Sequence, residues 1–423
     1  MMLFTLAAAA IGLAPKALGA YFATVSAFAL RKSQEFPDVV PTTRFAVVVA
    51  ARNEAGVIGR SVESLREQTY PEALYDIYVA PNHCTDDTAD IARAAGARIL
   101  HCSGAVRDKG GALREALDTL LSDPAGYDAF VVFDADNLAD RMFLAEMDKA
   151  FQAGARAAKG RIESKNPYDS WIAGCYSIYF GIQSVFFNRA RAACGLSAKL
   201  AGTGFAVARG VLEKLGGWRT GTITEDVEFS ARLALAGERI WWVPRAISYD
   251  EEPTTLRVSM KQRKRWCSGV LQVSRLYLRD LFHWRKKTAW PLRMDAAMLL
   301  LLPYTQVLSL LSLPIAIVAA WISGEADTAR LVYGVLTGAL LSFAGTASLA
   351  AGIAFGYAGH DRRILKSVLG FPLFMVSWLP LQVLALCHNT VVWEEIRHTR
   401  GLSLREMPDR ANPKRGTLQR TSG

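Results

Sequence analysis

The chain has little charge and few cysteines for its length. Of 423 residues, 21% are Asp, Glu, Lys or Arg and six are cysteine. Cys84, Cys102, Cys175, Cys194, Cys267 and Cys387 form no Cys-x-x-Cys and no Cys/His ligand spacing. That excludes a zinc site and a disulfide frame, and it fits a reducing compartment. No G-x-G-x-x-G or G-x-x-x-x-G-K-[ST] is present at the first turn, which argues against a dinucleotide or P-loop site. Charge is missing altogether from Ala296–Ser323, Leu331–Tyr357 and Val368–Trp393, runs of 28, 27 and 26 residues. Each exceeds the roughly 20 residues that cross about 30 Å of hydrocarbon as a helix. A purely soluble protein is therefore excluded. A pure transporter is excluded too, because Gln34–Trp290 carries most of the charge and reads as a water-soluble domain.

What is present is an apolar chain, 51% hydrophobic, too apolar to be disordered. Met1–Leu30 is a fourth apolar stretch, interrupted only by Lys16. Ala17-Leu18-Gly19-Ala20 has the look of a signal-peptide cleavage site, but the stretch lacks a basic start and stays apolar to Leu30, so it reads as an anchor. The balance of 49 Lys+Arg against 39 Asp+Glu gives +10. Arg31-Lys32, Arg285-Lys286-Lys287 and Arg362-Arg363 with Lys366 flank apolar runs, so the excess marks cytoplasmic membrane edges and a nucleic-acid partner is not expected.

Between the anchor and the apolar runs the pattern alternates. Phe45–Ala51, Asp76–Ala80, Ala97–Cys102 and Ala129–Phe133 read as strands. Helical patterns cover Ala55–Gln68, the segment ending near Ala95, and Gly110–Leu121. This alternation predicts an α/β doubly wound layer. Ligands of such sheets bind beyond the carboxyl ends of strands. Three polar clusters fall there: Arg52-Asn53-Glu54, Asn82–Asp87 and Asp134-Ala135-Asp136.

Asp134 and Asp136 can reach one hard cation, Mg²⁺ or Mn²⁺, completed by substrate phosphates, although a solvated acidic turn has the same form. Thr224-Glu225-Asp226 opens a helical pattern over Val227–Ala236 and reads equally as an N-cap threonine followed by acids that complement the helix dipole. Gln262-Arg263-Lys264-Arg265-Trp266 lies in the amphipathic segment Thr255–Leu278. This segment suits a helix on the headgroups, and its Trp and Arg suit a sugar ring and a pyrophosphate.

Taken in order, Ala-Ala-Arg-Asn-Glu, Asp-x-Asp, Gly202-Thr203-Gly204, Thr-Glu-Asp and Gln-x-x-Arg-Trp ahead of apolar spans resemble the membrane-bound family 2 glycosyltransferases with a GT-A catalytic domain. That group contains the cellulose, chitin and hyaluronan synthases and the rhizobial chitooligosaccharide synthase. The likeness covers Phe45–Trp266. It implies a Rossmann-like GT-A domain in which Ala50, Arg52, Glu54, Asn82, Lys109 and Asp134 surround the nucleotide, while Asp134 and Asp136 hold Mg²⁺ or Mn²⁺. It further implies that Asp226, beside Glu225, is the catalytic base. Gly202, Thr203 and Gly204 then line the acceptor terminus, and Gln262, Arg265 and Trp266 bind acceptor sugar and diphosphate. Related enzymes often carry aspartate where Asn82 stands, which leaves Asp86 or Asp87 as alternatives for the base contact.

The resulting expectation is an anchor over 1–32, a cytoplasmic GT-A domain over 33–254 and interface helices over 255–290. About three spans follow over 291–393, with a basic tail over 394–423, in a multi-pass protein of the cell (inner) membrane. Three spans put the tail outside, whereas Arg397, Arg400, Arg405, Arg410, Arg415 and Arg420 argue for inside; a bend at Pro303 and Pro314 is one repair. The expected activity is inverting transfer from a UDP-sugar, UDP-GlcNAc or UDP-glucose favoured, to a growing glycan with a β linkage, possible translocation and possible accessory subunits. The alternatives are single addition to a lipid-linked acceptor and a non-catalytic subunit of a glycan export complex.

Overall fold

The computed structural model describes residues 2–283, 289–322, 327–387 and 401–406. Arg285-Lys286-Lys287, Trp393 and the tail arginines other than Arg405 lie outside the described residues.

Among the described residues eight strands form one mixed sheet: β1 Phe45–Ala51, β2 Tyr75–Pro81, β3 Arg98–Ile99, β4 Ala129–Asp134, β5 Leu138–Ala139, β6 Ala157–Ser164, β7 Phe205–Ala208 and β8 Ile240–Asp250. Their order is β3-β2-β1-β4-β7-β6-β8-β5. β1, β2, β3 and β4 are parallel to their neighbours in this group, as the alternating pattern predicts. The second half departs from a doubly wound layer, because β7 runs antiparallel to both β4 and β6. The third predicted strand shrinks to two residues, since β3 is an edge with one neighbour.

β1 is apolar at every position because both its faces are covered. Phe45, Val47 and Val49 pack in the cluster that holds Ile58, Val62 and Leu65 of the helix Ile58–Arg66. Ala46 and Val48 pack in the cluster that holds Leu113, Leu117 and Leu120 of the helix Lys109–Leu121. The strand order reverses between β1 and β4, so a crevice opens at their carboxyl ends. Register places Ala50 beside Asp134 there. Pro244 interrupts β8, and the pairing of β6 with β8 slips just where Gly160 faces Ala246 O, which leaves no room for a Cβ.

Among the described residues, four helical segments are long and apolar enough to cross a membrane: Gly12–Leu30, Trp290–Leu311, Ala329–Tyr357 and Arg362–Cys387. The N-terminal helix Met2–Ala27 is tied to the helix Trp290–Ile322, with Tyr21 OH donating to Asp295 Oδ1 at 2.8 Å. Arg191 Nε donates to the other oxygen of Asp295 at 3.0 Å. Both charges are almost fully buried, so loss of one partner would strand the other.

Candidate active site

The strand ends converge because backbone bonds pull their loops together. Asn82 N donates to Ala51 O at 2.9 Å, and Gly204 N donates to Val132 O at 2.8 Å. The second bond brings Gly202-Thr203 alongside Asp134, whose backbone N–H donates to Thr203 Oγ1 at 3.1 Å. Lys109 begins its helix behind Asp108, which caps the turn by accepting from Gly111 N at 2.8 Å. Its Nζ is 2.5 Å from Asp134 Oδ1 and 3.1 Å from Glu225 Oε1, and it donates to Gly202 O at 2.6 Å. One ammonium therefore gathers three of the sequence motifs. Burial opposes its charge, but Asp134 and Glu225 outweigh that and hold its proton more tightly than usual. Burial likewise pushes the Glu225 carboxyl up, against the pull of Lys109.

All the sequence-predicted site residues except Gly204 line one cavity of about 690 Å³. Gly204 is drawn into the sheet instead, where a Cβ would stand 2.8 Å from Ser248 Oγ at a φ of +58°. Asn82 is buried in this cavity wall, with Nδ2 donating to Asp108 O at 3.4 Å. Asp86 is taken up by its own loop, accepting from Ala55 N at 3.1 Å and Thr88 Oγ1 at 2.5 Å. Burial raises its pKa, but these bonds outweigh that and hold it below the usual range. Neither Asp86 nor Asp87 lines the cavity, so Asn82 keeps the position at the second strand end.

Thr224 stands at the N-cap position of the helix Glu225–Ala236, yet its side chain caps nothing. The hydroxyl is turned against Gly269 of the helix Leu256–Phe282, where a Cβ would collide with it. Glu228 holds the loop instead, accepting from Gly221 N and Thr222 N, both at 2.8 Å. Tyr277 OH, from the helix Leu256–Phe282, donates to the other oxygen of Glu228 at 2.9 Å. The helix that carries Gln262, Arg265 and Trp266 is thus tied to the Thr-Glu-Asp helix at two points, Thr224 and Glu228. Gln262 Oε1 accepts from Tyr176 OH at 3.0 Å. Trp266 and Tyr179 flank Trp378, with ring centroids 6.1 Å and 5.8 Å away, forming an aromatic wall.

Sequence reasoning missed the acidic run Asp250-Glu251-Glu252, which ends β8 and lines the same cavity. The rule that found Asp134 and Asp136, acids at a strand's carboxyl end, applies to it equally. Asn137 Nδ2 donates to Asp250 Oδ1 at 2.8 Å, and Lys159 Nζ donates to Thr203 O beneath the site. Burial, reinforced by Asp136, pushes the Asp250 carboxyl up, while burial pulls the Lys159 ammonium down. Glu252 is raised for the same reasons, burial first and then Asp250. The place of Arg263 was also missed. It is fully buried, and its Nη1 donates to Phe374 O at 3.1 Å and Ser377 Oγ at 2.9 Å.

Asp134 and Asp136 fit a hard divalent cation as oxygen donors facing the cavity. Among the described residues no three His, Cys, Asp or Glu side chains are grouped to hold a metal by themselves. Two carboxylates that leave most positions open to phosphate oxygens suit Mg²⁺ or Mn²⁺ bound together with a diphosphate.

A crevice at the switch of a mixed sheet, paired acids at a strand end and a basic, aromatic helix under them define a GT-A glycosyltransferase. Residues 41–269 match the family model described as "Glycosyltransferase like family 2", and the chain belongs to that family. A probable glycosyltransferase YdaM of Bacillus subtilis is 26% identical over 251 residues, 58% of this chain and 59% of that protein. The beta-monoglucosyldiacylglycerol synthase of Synechocystis is 28% identical over 297 residues, 67% of this chain and 59% of that protein. The chain thus spans 59% of the length of these two curated relatives. A poly-beta-1,6-N-acetyl-D-glucosamine synthase of Staphylococcus aureus is 25% identical over 298 residues, 69% of this chain and 67% of that protein. Among solved structures, a mannosyltransferase of Pyrobaculum calidifontis in complex with GDP-Man and Mn²⁺ has a TM-score of 0.61 at 19% identity, covering 88% of this chain and 98% of its own. That likeness is one of fold.

Proposed function

We propose that the protein is an inverting, metal-dependent glycosyltransferase that moves one sugar from a nucleoside diphosphate sugar to the hydroxyl of a neutral membrane lipid. The observation that carries this reading is the course of the cavity. From the nucleotide end at Arg52 and Asn82 it continues past Asp226 to Leu292, Leu299, Pro303 and Leu379, residues of the apolar helices. A site wet at one end and apolar at the other suits a soluble donor and a lipid acceptor.

In the proposed reaction Arg52, Glu54 and Asn82 hold the nucleotide, with a UDP-sugar such as UDP-glucose or UDP-GlcNAc favoured. Asp226 takes the acceptor's hydroxyl proton while the oxygen attacks C1 of the donor sugar and the C1–O bond to the diphosphate breaks. A single carboxylate base and in-line attack give inversion, hence a β-linked product from an α-linked donor. A divalent cation on Asp134 and Asp136 would supply charge neutralisation to the leaving diphosphate. Arg265 adds to that charge at the acceptor side. The need for a base fits a hydroxyl acceptor, since a phosphate acceptor is already ionised. The catalytic domain is assigned to the cytoplasmic side, where Arg31-Lys32 would sit under the positive-inside rule.

The aromatic wall of Trp266, Trp378 and Tyr179 favours a second reading, extension of a glycan whose terminal sugar stacks there. Purified protein in vesicles containing diacylglycerol, given a panel of UDP-sugars and GDP-mannose with Mn²⁺, separates the two. The expected product is a lipid bearing a single β-linked sugar. A polymer would transfer the assignment to the second reading, and an α linkage would overturn the single-base mechanism.

A further inference from the structure

Arg362–Cys387 qualifies as a span by length and hydropathy, yet it touches the catalytic side throughout. Just ahead of it, the two ring nitrogens of His360 pair with Ser177 Oγ at 2.8 Å and Tyr168 OH at 3.1 Å. Ser367 then packs into the space left by Gly174 of the helix Trp171–Ile182. At the midpoint the helix Leu365–Val376 stops and the helix Trp378–Cys387 begins. The Arg263 guanidinium fills that break, 4.3 Å from the Phe374 ring and 5.3 Å from Trp378. Arg263 is next to Gln262, which lines the catalytic cavity. In the second half, Leu381 and Ala385 pack with Cys267 and Leu271 of the same interface helix.

The next described residues beyond the segment, 401–406, lie on the catalytic domain. Leu404 packs against Leu138, Ile247 and Tyr249, and a Cβ on Gly401 would stand 3.0 Å from Gly56 O. A crossing helix would leave Cys387 at the far face. From there to Gly401 are 14 steps, which cover at most about 21 Å as a helix against about 30 Å of hydrocarbon. Extended backbone would reach, but lipid cannot satisfy its N–H and C=O groups. A buried arginine at the midpoint of a lipid-crossing helix is equally out of place.

We propose that Arg362–Cys387 does not cross the bilayer. It lies in the membrane plane beneath the catalytic domain as a broken helix and presents one face to the acyl chains of the adjoining leaflet. That outer face carries Leu365, Leu369, Leu373, Val376 and Leu384, all at least 46% exposed. The inner face, with Met375, Trp378, Leu379 and Gln382, forms the membrane-side floor of the acceptor cavity. Two crossings then follow the catalytic domain, Trp290–Leu311 and Ala329–Tyr357, and the arginine-rich tail falls on the catalytic side, as its charge demands. This inference does not depend on which sugar or acceptor is used.

The test places nitroxide labels on the full chain at Leu365→Cys, Leu373→Cys and Leu384→Cys, with Cys84, Cys102, Cys194 and Cys387 replaced by serine, and reads depth in vesicles by relaxation enhancement. All three labels are expected at similar shallow depth, within roughly the 10 Å diameter of a helix. A progression through the bilayer centre, with Leu365 and Leu384 about 28 Å apart as a straight helix requires, would overturn the proposal. A protease site placed after Gly423 in sealed vesicles should be cut from the face that exposes the catalytic domain; cleavage from the opposite face alone would also overturn it. Neither readout needs turnover, so a failed transfer assay would leave this result standing, and the converse holds.

Discussion

The two walls of the cavity are built on opposite logics. The strand-end wall is polar, and its chemistry-bearing residues arrive at strand ends and helix starts, as with Asn82 after β2, Asp134 at the end of β4 and Lys109 at the first turn of its helix. The membrane-side wall is apolar, and Leu299, Pro303 and Leu379 are chemically interchangeable with the lipid-facing residues on the same helices. The first wall declares its chemistry through residue type and position. The second acquires a role only from what it packs against.

The sharpest way to break this contrast is at the polar wall. Asp226→Asn should cut transfer by about 10²–10⁴-fold, as loss of a general base does, while leaving nucleotide-sugar binding measurable by calorimetry. Unchanged turnover would remove Asp226 from the base role. Next, Asp136→Ala should raise the Mn²⁺ needed for half-maximal rate by at least the roughly 10–100-fold that loss of even a supporting group at a metal site costs. A chelator should silence the wild type reversibly.

The apolar wall is tested through its contacts. Arg263→Met removes two charge-assisted bonds to the break at Ser377, which predicts a loss of about 2 kcal/mol in unfolding free energy. It should also raise the acceptor KM more than the donor KM. Gly269→Ala drives a methyl into Thr224 and should cost about 1–3 kcal/mol, read as a lower Tm in detergent with kcat reduced. The last test is a pH dependence at Asp250. Its folded pKa is about 8 against an ordinary 3.8, so the folded state keeps a proton that the unfolded chain releases. Stability in metal-free buffer should therefore fall as pH rises from about 4 to about 8. Asp250→Asn should flatten that fall in a Tm profile.

The same contrast explains what the sequence disclosed. β1 is recovered residue for residue, because a valine run buried on both faces has few other meanings. Lys109 stands between Asp134 at a strand end and Glu225 at a helix start, three motifs that the sequence shows only separately. Asp250-Glu251-Glu252 escaped because Pro244 breaks the pattern of β8, and its partner strand β6 lies some eighty residues earlier. Arg263 escaped because a basic residue on an amphipathic helix reads as a headgroup contact until its guanidinium is found against Phe374. Hydropathy counts residues that avoid water, and it is blind to whether a helix stands in the bilayer or lies along its edge.

The contact of Gly269 with Thr224 has one more implication. With no side chain on the helix and none to spare on the loop, the joint has no slack, so a small sliding of the helix that carries Gln262, Arg265 and Trp266 is passed directly to the carboxylates one and two residues beyond Thr224. Water is the rival nucleophile in any such enzyme, and it brings no chain to press on that helix. On the role proposed for Asp226, a joint of this stiffness would tie the readiness of the base to an acceptor pressing on that helix, and would leave the donor intact while the seat is empty.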